Sequence, residues 1–514
     1  MTGDKLSSKT KIGYGIGTLS YGIPFQLVSA CFVFYSTMVL GISGALTGLL
    51  VSVSTIWDAV TDPVMGYISD HTKSRILLGR RLIYVLIGAL GLALCTLLLW
   101  QVSPELPYAS KAVMLGALLI LLKTFSTIYA TPYMALGAEL STDYGERTAV
   151  QSYRTAFFFL GFMFPTILGM AVFFKPTPEY ADGQLNPQAY AYLAIVTAAI
   201  TLISAAVCIA LTYKKQPVYT PPNKKKNAII GIFKETAEAL KCSDFRNVSI
   251  GLLFVNMAMS IVGAIGMHIF TYTFGLKSGQ IAIVFGALFL MALAAQPVWL
   301  YIANKFEKKT AMMACLFINI GVTVLFFVFV FANEWVSAHY IAIVPLAMLT
   351  GFSIGGSIAL PYSMITDTID KDAYYSGTRK EGVFYGCATF MFKLSQSLAV
   401  IFAGTMLDII GFNKDADLTT LKLQFDQVTL QITDFISGQA GATLEQLKTQ
   451  AAELSTLIGQ KSEVNLMLGL ILPVGFLICF VLALVFISRY TLNKEKVAFY
   501  QSGINGCAHE QDPT

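Results

Sequence analysis

Two carboxylates stand four residues apart in the stretch Ile56-Trp57-Asp58-Ala59-Val60-Thr61-Asp62-Pro63. The run around them, Gly44 to Ser69, is apolar and long enough to cross a bilayer. At that spacing Asp58 and Asp62 share one helix face. Acids at bilayer depth are costly to hold and by default mark an ion or proton pathway. Three further ionisable groups fall within apolar runs: Lys123, one helical turn before Thr127, Lys393, and Arg154 at the start of its run. Two acids and two lysines at similar depth are most economically mutual counter-ions, because an unpaired buried charge neutralises. A functional cluster is favoured over a structural one, since apolar replacement of buried ion pairs often stabilises a protein. His268 reads as hydrogen-bonded packing.

Helices must carry these groups. Of 514 residues only 13% are charged, about half the usual share, and mean hydropathy is +0.65. Twelve spans are predicted, near 12–40, 45–69, 82–101, 111–138, 153–174, 189–212, 247–275, 280–303, 310–332, 339–367, 383–411 and 465–489. No cleavable leader pattern precedes the first, so Met1 is expected to stay. The eight cysteines are scattered, mostly inside apolar runs and without a C-x-x-C pair, so neither zinc nor a disulfide framework is implied. Lysine and arginine collect on one side: at the N-terminus, after span two, in the central loop, after span eight and in the tail. Both termini are therefore expected in the cytoplasm, with the chain multi-pass in the plasma (inner) membrane. Trp100 and Trp335 are expected as interfacial anchors at the outer ends of spans three and nine.

The chain also repeats itself. Pro63-Val-Met-Gly-Tyr67-Ile68 in span two matches Pro297-Val-Trp-Leu-Tyr301-Ile302 in span eight, and Pro132-Tyr133 in span four matches Pro361-Tyr362 in span ten. Each match links a span to the one six later. The fold expected is all-α and polytopic: two pseudo-symmetric six-helix halves, as in major facilitator transporters, with a site between them at mid-membrane. The halves are drawn at residues 1–212 and 247–489, joined by a cytoplasmic linker at 213–246 and followed by a cytoplasmic tail at 490–514. The linker leads into an amphipathic stretch, Ile229 to Leu240, expected to lie on the lipid surface. Residues 412–464 form an extracytoplasmic insert, expected as two amphipathic helices covering the outer rim. In the repeat Asp62 corresponds to Gln296 and Asp58 to Ala292, so the acidic pair belongs to one half and is not scaffold.

Charges at the span ends read as gating or structural ion pairs. They are Asp70 with Arg75, Arg80 and Arg81, and Glu139 and Asp367 with basic partners such as Arg147 and Arg379. Gly355-Gly356 reads as a close helix approach.

Together these residues resemble the glycoside–pentoside–hexuronide:cation symporter family of the major facilitator superfamily. The carriers are Tyr14-Gly15-Ile16-Gly17, Ile56-Trp57-Asp58-Ala59 with Asp62-Pro63, Pro132-Tyr133 with Gly145-Glu146-Arg147, and Phe392-Lys393-Leu394. The resemblance implies secondary active transport of a sugar-like small molecule. It also implies a Na⁺, Li⁺ or H⁺ site at Asp58, Asp62 and Thr127, with Thr61 before the second aspartate. Oxygen ligands suit such hard cations. Acids that bind galactoside in one member fall on Gly22 and Ala130, so galactoside recognition does not carry over. Lys123 stands where that member has glycine. Coupling by a proton, or an internal Lys–Asp pair in place of the cation, is one expectation from this; a hexuronide bound at Lys123 or Lys393 is another.

Tyr21, Gln26, Tyr35, Tyr129 and Tyr133 are the expected substrate-binding side chains. No cofactor beyond the coupling ion (H⁺ or Na⁺, the latter at Asp58 and Asp62) is expected, and no nucleic-acid partner; the chain is expected to be a monomer in the bilayer. A lysophospholipid or other amphiphile carrier of the same fold is the alternative, and a non-transporting sensor the alternative of another class. No H-E-x-x-H motif or Cys/His ligand cluster points to an enzyme.

Overall fold

The computed structural model describes residues 6–72, 79–141, 144–180, 182–213, 239–377, 381–412, 418–436 and 444–504. Twelve of the described helices are long and apolar enough to cross a membrane: Ser8–Val39, Gly44–Ser69, Gly79–Leu99, Tyr108–Gly137, Ala149–Phe173, Pro187–Thr212, Ser243–Thr273, Ser278–Phe306, Lys308–Phe331, Tyr340–Ser376, Glu381–Ile409 and Leu447–Ser488. They are called spans one to twelve.

Their packing repeats. Span four packs on two and three, and span six on one and three; equally, span ten packs on eight and nine, and span twelve on seven and nine. The repeat reaches individual turns. Spans one and seven both end in a widened, π-helical turn, Tyr35–Val39 and Ile269–Thr273. Each is followed by a glycine at positive φ, Gly41 at 70° and Gly275 at 61°, a conformation that carries little cost without a Cβ. Prolines sit inside spans two, four, eight and ten at Pro63, Pro132, Pro297 and Pro361.

Between the halves, span two packs on eleven, one on seven, and five on eight. The described hydrogen bonds across this interface run from mid-membrane to the end opposite the termini. There Thr37 meets His268 Nε2 at 2.8 Å, Thr271 donates to Gln184, and Ser278 to the Phe174 carbonyl. His268, fully buried, thus does serve packing.

Two expectations change. Trp100 is 1% exposed and stacks on Tyr190, so it is a core residue, whereas Trp335 is exposed beside His339. The insert's first helix, Leu418–Ile436, is separate, but its second continues unbroken into span twelve as Leu444–Ser488. The helix formers Leu, Glu, Gln, Lys and Ala fill 444–464, and no proline breaks the run before Pro473. Glu139 pairs with Arg80 at 2.6 Å and Arg81 at 2.7 Å, two basic residues at the start of span three. Asp367 pairs with Lys308 at 2.6 Å and accepts from Tyr490. The Arg75 and Arg379 positions, most of the linker with 229–238, and the side chains of Asp70 and Arg147 lie outside the described residues.

Candidate functional site: a four-charge cluster between the halves

Small residues let spans two and eleven run side by side. A Cβ added at Gly44 would meet the Gly404 carbonyl oxygen at 2.3 Å, and one at Gly48 would meet the Val400 carbonyl at 2.7 Å. One turn further, Ser52 donates to the Ser397 carbonyl at 2.8 Å. This antiparallel register brings Lys393 beside the acidic pair: Nζ is 2.9 Å from Asp58 Oδ2 and 2.5 Å from Asp62 Oδ2. Lys123 completes the cluster at 3.9 Å from Asp58 Oδ2. Two acids and two lysines sum to zero charge.

Span four supplies the other contacts. Thr127 Oγ1 lies 2.7 Å from Asp58 Oδ1 and 3.0 Å from Asp62 Oδ1. A hydroxyl has one hydrogen to donate, so it serves one carboxylate at a time. The remaining oxygen–oxygen approach becomes more favourable when a carboxyl group takes up a proton or a cation sits among the three oxygens. Thr61 donates back to the Asp58 carbonyl and meets Thr127 at 3.3 Å, supporting the bridge from behind. Trp57 donates to Thr124 and Thr131 lies 3.5 Å from Asp62, contacts that no sequence pattern announced. Among the described residues no group of three His, Cys, Asp or Glu side chains forms a metal site.

Above the cluster a cavity opens between spans one, two, three, four, seven and eleven. Of the side chains expected to bind substrate, Tyr21 lines it. The others take different places. Tyr35, Tyr129 and Tyr133 are fully buried, with their hydroxyls donating to the carbonyls of Val102, Gly17 and Tyr14. Gln26 donates to Thr166 within the same half. These tyrosines weld span one to its neighbours, and the rotation of each helix decides that, which residue type cannot reveal. Arg154 lies within electrostatic reach of Tyr14 and Tyr21 but forms no described ion pair with either aspartate. Cavity residues missed from sequence include Phe25, Thr55, Ser126, Ser260 and Gln396.

Gly351-Phe352-Ser353-Ile354-Gly355 has the G-x-S-x-G spacing of a hydrolase nucleophile turn. Here it lies inside a continuous helix, and Ser353, fully buried, donates to the Cys315 carbonyl at 2.7 Å. It is packing, as is Gly355-Gly356, where added Cβ atoms would meet Ala292 and Cys315.

The family described as MFS/sugar transport protein matches residues 13–437, the greater part of the chain. The chain belongs to that family. The major facilitator fold is also that of a solved bacterial homolog to the human lysosomal transporter Spinster, inward-facing and unoccupied. The TM-score is 0.62 at 13% identity, covering 94% of this chain and 98% of that one. Among curated relatives, the inner membrane symporter YicJ of Escherichia coli is 25% identical over 80% of this chain and 85% of its own. The human sodium-dependent lysophosphatidylcholine symporter 1 is 24% identical over 71% of this chain and 68% of its own. This member of the family is thus a multi-pass membrane transporter acting on a small molecule.

Proposed function

We propose that the protein is a cation-coupled symporter that carries a sugar-like solute by alternating access. Asp58, Asp62 and Thr127 hold the coupling cation, H⁺ or Na⁺, and Lys393 reports its presence to the other half. The Thr127 bridge carries this reading: one hydroxyl hydrogen for two carboxylates leaves room for one more positive charge. A cation there competes with Lys393 for the carboxylates, so occupancy alters the bond between spans two and eleven. The family's description and the relative YicJ support symport. We take the chain to lie in the plasma (inner) membrane with both termini cytoplasmic, on the distribution of lysine and arginine.

A second reading, transport of an amphiphile, is favoured by the cavity's apolar lining of Val28, Val33, Val51, Leu92, Leu122 and Val400. The lysophosphatidylcholine symporter among the relatives points the same way. Proteoliposome uptake with Na⁺ and pH gradients imposed separately tests the main reading. Accumulation should follow one gradient and vanish in Asp58→Asn and Asp62→Asn while gradient-free exchange survives. Undiminished accumulation in both variants sinks the cation site.

A further inference from the structure

Three of the four charges in the cluster are hydrogen-bonded. Lys393 serves both carboxylates, and Thr127 meets one oxygen of each. Lys123 differs. It is 7% exposed, and its described charge partner, Asp58, stands at 3.9 Å, beyond hydrogen-bonding reach. An ammonium has three N–H donors, and leaving a buried charge without hydrogen bonds is costly. Asp62 and Lys393 act on it through charge alone, and the Phe25 ring lies 5.1 Å away at its centroid. The ring contact takes up charge but accepts no conventional hydrogen bond.

Lys123 also lines the cavity, and every other described lining side chain is neutral. The cavity lies between the two halves, where a transported solute is expected to bind. It combines a single buried ammonium with aromatic faces from Tyr21 and Phe25 and polar groups from Ser29, Ser126 and Gln396. A neutral solute would leave the ammonium's donors unserved; an acid would serve them.

We infer that Lys123 is the ligand for an anionic group of the transported solute, a carboxylate or a phosphate monoester. The inference rests on the transporter reading above and deepens it by naming the solute's charge. It also ties anion to cation. The empty cluster is neutral; with a coupling cation bound it carries one net positive charge, which the solute's anion cancels. Each ligand therefore strengthens binding of the other, and linkage makes the effect reciprocal.

The test is equilibrium binding of matched pairs to the purified full chain in detergent. The pairs are p-nitrophenyl β-D-glucuronide against p-nitrophenyl β-D-glucoside, and a short-chain lysophosphatidic acid against its monoacylglycerol. The acid of at least one pair should bind about tenfold or more tightly than its neutral partner, a difference of about 1.4 kcal/mol. Lys123→Gln should abolish that preference, and Lys123→Arg, which keeps the charge, should retain it. Whichever pair responds identifies the carboxylate or the phosphate as the group recognised. Equal binding of acid and neutral partner, a preference that survives in Lys123→Gln or is lost in Lys123→Arg, or no binding of either acid overturns the inference. None of these outcomes depends on a gradient. The symporter reading fails separately, through accumulation that ignores Asp58→Asn and Asp62→Asn.

Discussion

Lys393 Nζ lies 2.5 Å from Asp62 Oδ2, tying span eleven of one half to span two of the other at mid-membrane. Alternating access moves the two halves against each other, so this bond lies on the surface that must rearrange. A salt bridge placed there holds the empty carrier in one state until a competing cation loosens it.

Removing Lys393 should therefore cost both stability and coupling. In Lys393→Ala, Asp58 keeps one ammonium at 3.9 Å, and the four-charge balance is lost. Breaking a buried pair in this way costs on the order of 3 kcal/mol, read as a lower melting temperature in detergent. Adding Asp62→Asn should return part of that loss, because it removes the second of the two acids left short of positive charge. Strictly additive effects of the two substitutions would show that the pair is not coupled.

Thr127→Val keeps the shape of the side chain and deletes the hydroxyl that meets both carboxylates. A hydrogen bond to a charged group contributes about 1.5 kcal/mol, so the half-saturating concentration of the coupling cation should rise roughly tenfold. Thr127→Ser should stay near the unsubstituted protein. Uptake titrated against the driving cation measures both. Equal cation affinity in all three forms would remove Thr127 from the site.

Much of this was legible in the sequence, and the reason is physical. Span existence depends on the length of apolar runs, and Asp58, Asp62, Lys123 and Lys393 stand out because charge in such runs is costly. Their convergence followed from the need for counter-ions. What depends on helix rotation or on distant partners was not legible. Tyr129 and Tyr133 could have faced a cavity or a neighbouring helix, and their turn toward span one follows from close packing at Gly17. Trp100 is buried because Tyr190, remote in sequence, stacks on it. Gly41 and Gly275 stand 234 residues apart, as do Pro63 and Pro297, and mark the same turn in each half.

Orientation is accessible to labelling. Glu105, in the connection after span three, and Glu495, on the final helix, are both exposed and fall on opposite sides of the twelve-span plan. Six of the native cysteines are buried and Cys242 is partly so, so replacing Cys242 and Cys507 gives a quiet background. In intact cells an impermeant maleimide should label Glu105→Cys at once and Glu495→Cys only after permeabilisation. The reverse pattern would invert the topology.

The closure between spans two and eleven makes the last prediction. The Asp408 carboxylate accepts the Gly44 and Ala45 N–H groups at 2.8 Å each, so an acid at the end of span eleven caps the start of span two. Below it the backbones touch, and a Cβ at Gly404 would lie 2.1 Å from the Gly44 carbonyl oxygen. Backbone cannot yield as a flexible side chain can, so Gly404→Val must push the two helices apart at the end opposite the termini. Asp408→Ala should do the same more gently. Losing hydrogen bonds of this kind costs about 1 kcal/mol, enough to shift a two-state population roughly fivefold. Paired spin labels on the outer ends of spans two and eleven read the separation directly. Gly404→Val should show a dominant longer distance, and Asp408→Ala a mixture of the two. An unchanged distance in Gly404→Val, with the protein folded, would mean that this contact is not what holds the halves together.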